Sequence, residues 1–186
     1  MTYLELRDQI TKPYFTLTDV LKFFSDDSPE TIRTQLFRFV KKGYLIHLKR
    51  EVYLFPKAQI DELELARLLY APSYVSLETA LNYYGMIPDI PLSVTSVTTV
   101  TTKKIKTVLG RFYYQKIKPE LFWGYKVVPT KNRGVFYMAF PEKALLDYLY
   151  LHGKKQTLSL RLDLSVIDKK IYNKFAKEFS YDKFNF

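Results

Sequence analysis

The chain has 186 residues, of which 47% are hydrophobic and 17% aromatic; this excludes a disordered protein and allows one large or two small packed domains. Its formal net charge of +10 favours anionic partners such as nucleic acid or acidic proteins, although a basic surface that only aids solubility also fits. The absence of cysteine excludes disulfides and cysteine-bound metal, and no apolar run approaches the roughly 18 residues of a membrane-spanning helix. We therefore expect a cytoplasmic protein with no membrane contact.

The first residues predict two short helices. Residues 3–10 have an amphipathic pattern, and the Lys12-Pro13 pair ends it. A second helix is expected over residues 20–24, with Thr18 as its N-cap because a threonine hydroxyl can accept a free amide hydrogen of the first turn. These two helices are expected to close a small core around the segment that follows them.

Residues 28–43 have the signals of a longer helix. Ser28 suits the N-cap, Pro29 suits the first helical position, and Gly43 suits the left-handed residue that ends a helix. Apolar residues recur with a helical period at Ile32, Leu36, Phe39 and Val40. Strands are then expected over residues 44–46 and 52–55, on either side of a basic tip at Lys49-Arg50.

Three helices followed by a basic hairpin predict a winged helix-turn-helix domain over residues 1–57, with the third helix in the major groove of DNA. Side chains expected to face base edges are Arg33, Thr34, Gln35 and Arg38. Side chains expected to hold phosphates are Thr31, Lys41, Lys42, Lys49 and Arg50. The alternative is a solvated helix face on a winged helix that contacts proteins.

The rest of the chain predicts a linker helix and a second domain. Residues 58–72 are acidic and helical, and they separate the basic end from a mixed α+β domain over residues 73–186. In that domain Ser76 is expected to cap a helix, residues 93–102 to form a strand and residues 103–106 a basic turn. The predicted fold class is therefore α+β, with the winged helix first.

A second basic patch is a candidate site for RNA, flanking DNA or an acidic protein. Its residues are Lys103, Lys104, Lys106, Arg111, Lys116 and Lys118. They fall on one predicted hairpin, where Arg111 and Tyr113 alternate onto one face of their strand. Hairpin lysines that are simply solvated are the alternative.

Catalysis is not expected, and no cofactor or metal is predicted. Glu142, Lys143 and Asp147 resemble an acid–base group, but Glu142 suits a helix N-terminus and its neighbour Lys143 points to a different face. His47 and His152 are isolated histidines without the acid cluster that a metal site needs.

The chain resembles the AbiEi-type antitoxins of type IV, abortive-infection toxin–antitoxin systems, first in its winged-helix pattern and more specifically in its second domain. Residues 73–81 with Tyr84-Gly85 are similar to a segment that begins a helix in that family. Residues 110–125 are similar to its central aromatic-rich segment, and residues 141–147 are similar to the characteristic start of another helix. The likeness covers roughly residues 14–151. One departure is Glu51, where many relatives carry glycine after the basic tip of the wing.

The resemblance implies a transcriptional repressor that binds promoter DNA of its own operon. It also implies that the second domain counters a nucleotidyltransferase toxin encoded beside it, without a stable complex. Two alternatives stay open: an enzyme-like second domain that acts on a toxin or nucleic acid, and an orphan winged-helix regulator without a toxin. The sequence leaves the oligomeric state open.

Overall fold

The computed structural model describes residues 1–131 and 134–179. Within these residues the protein has seven helices and two sheets, which confirms the mixed α+β class. The chain forms two compact units, Met1–Ile60 and Asp61–Phe186. Residues 180–186 of the domain predicted over residues 73–186 lie outside the described residues. None of the described helices is both long and apolar enough to span a bilayer.

The first unit contains three helices and a three-stranded antiparallel sheet of order β1-β3-β2. Its core is made by Leu6, Phe15, Val20, Ile32 and neighbouring buried side chains from all three helices and the sheet. In chain order the elements are α1 (Tyr3–Gln9), β1 (Tyr14–Thr16), α2 (Leu17–Phe23), α3 (Pro29–Lys41), β2 (Ile46–Lys49) and β3 (Val52–Leu54).

Helix α2 begins earlier than the sequence predicted. The N-cap is Thr16, not Thr18, and the strand β1 that leads into it was missed. The Thr16 hydroxyl accepts a hydrogen bond from Asp19 N at 3.2 Å, and the Asp19 carboxylate accepts one from Thr16 N at 2.9 Å. This reciprocal pair satisfies two amide hydrogens at once, so it outcompetes a single bond to Thr18.

The structure confirms both predicted ends of helix α3. The Ser28 hydroxyl accepts a hydrogen bond from Thr31 N at 3.2 Å, and Pro29 is the first helical residue. At the other end Gly43 has φ of 74°, and Tyr44 N donates to the Phe39 carbonyl at 2.9 Å. Only a residue that tolerates the left-handed region allows this closing bond without strain, which is why glycine stands there.

The second unit is built on a six-stranded mixed sheet of order β6-β7-β5-β4-β9-β8. The β5–β7 and β4–β9 pairs are parallel, whereas the β4–β5, β6–β7 and β8–β9 pairs are antiparallel. The elements are α4 (Glu62–Leu69), β4 (Ser73–Val75), α5 (Leu77–Tyr83), β5 (Val94–Thr98), β6 (Lys103–Thr107), β7 (Gly110–Lys116), a 3-10 turn (Pro119–Leu121), β8 (Tyr125–Pro129), β9 (Val135–Ala139), α6 (Pro141–Leu158) and α7 (Lys169–Glu178).

Two features of the second unit differ from the sequence prediction. The helix expected as a linker over residues 58–72 is α4, which belongs to the second unit because Leu65 and Leu69 are buried and Arg67 Nε donates to the Val135 carbonyl at 2.8 Å. The basic turn expected over residues 103–106 is instead the edge strand β6. Its pairing with β7 supplies backbone hydrogen bonds that local sequence cannot reveal.

Position 134 has space only for glycine, because the buried carboxylate of Glu64 lies against it. A Cβ at this position would lie 1.9–2.0 Å from the carboxylate atoms of Glu64, which is 1% exposed. We expect Gly134→Ala to lower the free energy of unfolding by about 1–3 kcal/mol, as overpacking does, in urea denaturation. The same change in a Glu64→Ala background should cost less, because the space is then open. An equal penalty in both backgrounds would contradict this account.

Candidate nucleic-acid interface

An arc of exposed side chains runs along the side of α3 that faces away from the core. Ile32, Leu36 and Phe39 are buried on the opposite side. Because successive residues of a helix are rotated by about 100°, Thr34 falls at the centre of the exposed arc, with Arg38 and Lys41 within about 40° of it. All three are exposed. The arc therefore presents a hydroxyl and two cations to any ligand that approaches α3.

Arg33 lies at one edge of this arc and links α3 to the turn between β2 and β3. One guanidinium nitrogen donates to Glu51 Oε1 at 3.2 Å, and the other lies 3.8 Å from Glu30 Oε1. The Arg33 side chain is still 50% exposed. This contact places the hairpin turn beside α3. It also means that Arg33, which is predicted to contact base edges, is partly engaged by carboxylates.

The turn itself is held in a left-handed conformation. Glu51 has φ of 61°, a region that favours glycine, and its carbonyl accepts a hydrogen bond from Leu17 N at 3.0 Å. This is the position where the resemblance leads one to expect glycine. Arg50, beside it, is exposed. The turn therefore keeps the glycine-type backbone while adding a carboxylate that pairs with Arg33.

The remaining predicted residues occupy different sides of the interface. Thr31 is exposed and its hydroxyl lies 3.0 Å from Ser28 Oγ, within the N-cap of α3. Gln35 is half-buried at the edge opposite Arg33, about 160° from it on the helical wheel, so the two do not face the same side. Lys42 is exposed at the end of α3, and Lys49 is half-buried in β2.

Phe37 is a residue of this interface that the sequence prediction missed. Its side chain is 59% exposed, and Lys41 Nζ lies 5.4 Å from the centre of its ring. The signal was available in the helical period, because Leu36 and Phe39 take the inward positions and leave Phe37 outward.

The second basic patch lies on the β6–β7 hairpin but is divided between the two faces of the sheet. Lys104 pairs with Tyr113 and Lys106 with Arg111, so these four side chains share one face. Lys103 pairs with Tyr114 and lies on the other face, together with Lys116, while Lys118 follows the strand. All six basic side chains are exposed, although they do not form one continuous surface on a single face.

The second unit holds an ion pair that is completely buried. Lys143 and Asp147 are both 0% exposed, and Lys143 Nζ donates to Asp147 Oδ1. Tyr74 OH and Ser76 Oγ both donate to Asp147 Oδ2, at 2.9 and 2.8 Å, and Lys143 Nζ donates to Tyr74 OH at 2.8 Å. We call these four residues the buried polar cluster.

Burial governs the protonation chemistry of the buried polar cluster. It lowers the pKa of the Lys143 ammonium and raises the pKa of the Asp147 carboxyl, while the attraction between the two charges opposes both shifts. The rings of Trp123 and Phe179 cover the ammonium, with their centres 5.3 and 5.0 Å from Lys143 Nζ. The ammonium is therefore held by aromatic faces as well as by oxygen atoms.

Comparisons with known proteins assign no family to the chain: no protein-family model matches it, and no curated protein does. A functional assignment therefore depends on the geometry of α3 and the β2–β3 turn, together with the resemblance of the second unit.

Proposed function

We propose that this protein is a cytoplasmic repressor that binds promoter DNA through a winged helix-turn-helix domain and that it also acts as an antitoxin of a type IV toxin–antitoxin system. In this proposal α3 enters the major groove, and the turn between β2 and β3 contacts the DNA backbone beside it. The second unit counters a nucleotidyltransferase toxin without a stable complex.

The observation that carries the DNA-binding part is the contact between Arg33 and Glu51, which sets the basic turn beside the exposed arc of α3. The element order α1-β1-α2-α3-β2-β3, with its three-stranded antiparallel sheet, also supports a winged helix. A helix with hydroxyl and cationic side chains next to a basic turn suits a groove bordered by phosphates.

The proposed roles follow from position on the arc. Thr34 and Arg38, at its centre, face base edges, and Arg33 joins them once it leaves Glu51. Residues at the ends of α3 and in the hairpin hold phosphates; these are Thr31, Lys41, Lys42, Lys49 and Arg50. Gln35 reads from the opposite edge of the arc, beside Arg38.

The antitoxin part rests on the resemblance, and the buried polar cluster gives it structural support. The three segments that carry the likeness, residues 73–85, 110–125 and 141–147, meet at this cluster: the first supplies Tyr74 and Ser76, the second Trp123, and the third Lys143 and Asp147. Segments far apart in sequence thus share one packing centre. Because both charges are 0% exposed, a substrate cannot reach them, so Lys143 and Asp147 are not proposed as an acid–base pair of an enzyme-like domain.

Salt dependence of binding tests the phosphate contacts. Fluorescence anisotropy of the full chain on the duplex from upstream of its gene should show affinity falling steeply between about 50 and 200 mM salt. Arg50→Ala should lower the slope of log K against log salt by about 1, because one phosphate contact is lost. Lys177→Ala, an exposed lysine of α7, is the control and should leave the slope unchanged. If Arg50→Ala left the slope unchanged, the hairpin turn would not be part of the interface.

Co-expression with a nucleotidyltransferase toxin, taken from the gene beside this one as the resemblance implies, tests the antitoxin part separately. We expect the full chain to restore growth of cells that express the toxin. The variant Arg33→Ala/Arg38→Ala should restore growth as well, because α3 belongs to the first unit and the proposal assigns neutralisation to the second. Failure of the wild-type chain to restore growth would leave an orphan regulator as the better interpretation.

A further inference from the structure

Phe37 places an apolar ring inside the basic arc of α3. Arg33 and Thr34 precede it by one helical turn and Lys41 follows it by one turn, so a hydroxyl and two cations surround the ring. The core does not use it, because Leu36 and Phe39 are buried while Phe37 is 59% exposed. Within α3, all of which the structure describes, no other large apolar side chain is exposed to this degree.

We propose that Phe37 contacts the 5-methyl group of thymine in the major groove and makes the protein prefer A·T base pairs beneath its ring. The inference rests on the proposed DNA-binding function and adds a specificity-determining residue to it. In the major groove the thymine methyl is the apolar feature among hydrogen-bonding base edges, and phenylalanine is one of the side chains that contact it. Burial of the ring against this methyl removes apolar surface of both partners from water.

The surroundings of Phe37 favour DNA over a protein partner. A protein-binding site usually has a wider apolar centre, whereas Phe37 is the one large apolar side chain exposed on the fully described helix α3, with Arg33 one turn before it and Lys41 one turn after it. Lys41 Nζ lies 5.4 Å from the ring centre, which keeps an ammonium group within reach of an anion when the ring is covered. A thymine methyl presents the complementary pattern, since it is a small apolar spot in a groove bordered by phosphates.

Substitution of uracil for thymine tests this contact, because uracil lacks only the methyl group. The probe is the duplex that the full chain selects from a random pool, prepared once with thymine and once with uracil, and the readout is the ratio of the two affinities by anisotropy. The wild-type protein should bind the thymine duplex roughly threefold to fivefold more tightly for each methyl group it contacts. Phe37→Ala should bring the ratio to one.

Phe23→Ala is the matched control, because Phe23 is a phenylalanine of α2 that is 52% exposed. It should keep the wild-type ratio. Equal affinity of the wild-type protein for the two duplexes would overturn the role of Phe37 and leave DNA binding intact. A thymine preference that survives in Phe37→Ala would also overturn the role of Phe37. If Phe37→Ala also bound DNA as tightly as wild type, the ring would be assigned to a protein contact. Selection of no duplex would refute both this inference and the proposed DNA-binding function.

Discussion

Replacement of both Arg33 and Arg38 by alanine is expected to weaken binding to the selected duplex by about 2–6 kcal/mol, since each bidentate contact to a base contributes about 1–3 kcal/mol. Arg38 lies near the centre of the exposed arc of α3 and is free to reach a base edge. Arg33 must first leave Glu51, which it contacts at 3.2 Å, so its share should fall at the lower end of this range.

Gel-shift titration of the single and double variants separates these contributions. Arg161→Ala is the control, because Arg161 is an exposed arginine of the second unit that also pairs with a carboxylate, at 3.8 Å from Asp89. Glu51→Gln should tighten binding, because it frees Arg33 and removes a negative charge beside the phosphates. If the double variant kept both its affinity and its preference over a scrambled duplex, α3 would not be the reading helix.

Lys143→Met should lower the free energy of unfolding by about 3–5 kcal/mol, because it leaves the Asp147 carboxylate buried without its cation. Tyr74 and Ser76 still donate to Asp147, but two hydroxyl groups do not neutralise a charge that is 0% exposed. Urea denaturation measures the change. Lys154→Met, at an exposed lysine just beyond the break that the non-helical Gly153 makes in α6, is the control and should have little effect.

The double variant Lys143→Met/Asp147→Leu should be more stable than Lys143→Met alone. Removal of both charges avoids the desolvation of an unpaired ion, although Tyr74 and Ser76 then lose their acceptor, at about 1–3 kcal/mol for each buried group left unsatisfied. Penalties that simply add would show that the two charges are not coupled and would contradict the ion pair.

Local chemistry makes α3 predictable from sequence, because Ser28, Pro29 and Gly43 act on neighbouring backbone atoms. The start of α2 is also locally encoded, by Thr16 and Asp19 three residues apart, although Thr18 offers a competing cap in the same segment.

Features that depend on distant residues were not predictable in this way. Strand β6 has the lysine-rich composition that is typical of an exposed turn, and its pairing with β7 is what makes it extended. Ser76 is expected to cap α5, yet its hydroxyl donates to Asp147, 71 residues away. The Thr79 amide that it would cap donates instead to Thr95 Oγ1 at 3.0 Å, a residue of the neighbouring strand β5. For the same reason the partners of Lys143 and the pairing of Arg33 with Glu51 could be seen only in the folded protein.

Selection of duplexes from a random pool by the wild-type protein and by Arg38→Ala tests the central claim most directly. If α3 reads bases, the wild-type protein should enrich one motif, and Arg38→Ala should enrich the same motif with the preference lost at one position. Enrichment of no motif by the wild-type protein, or of an identical motif by Arg38→Ala, would contradict the claim that the exposed arc of α3 reads DNA sequence.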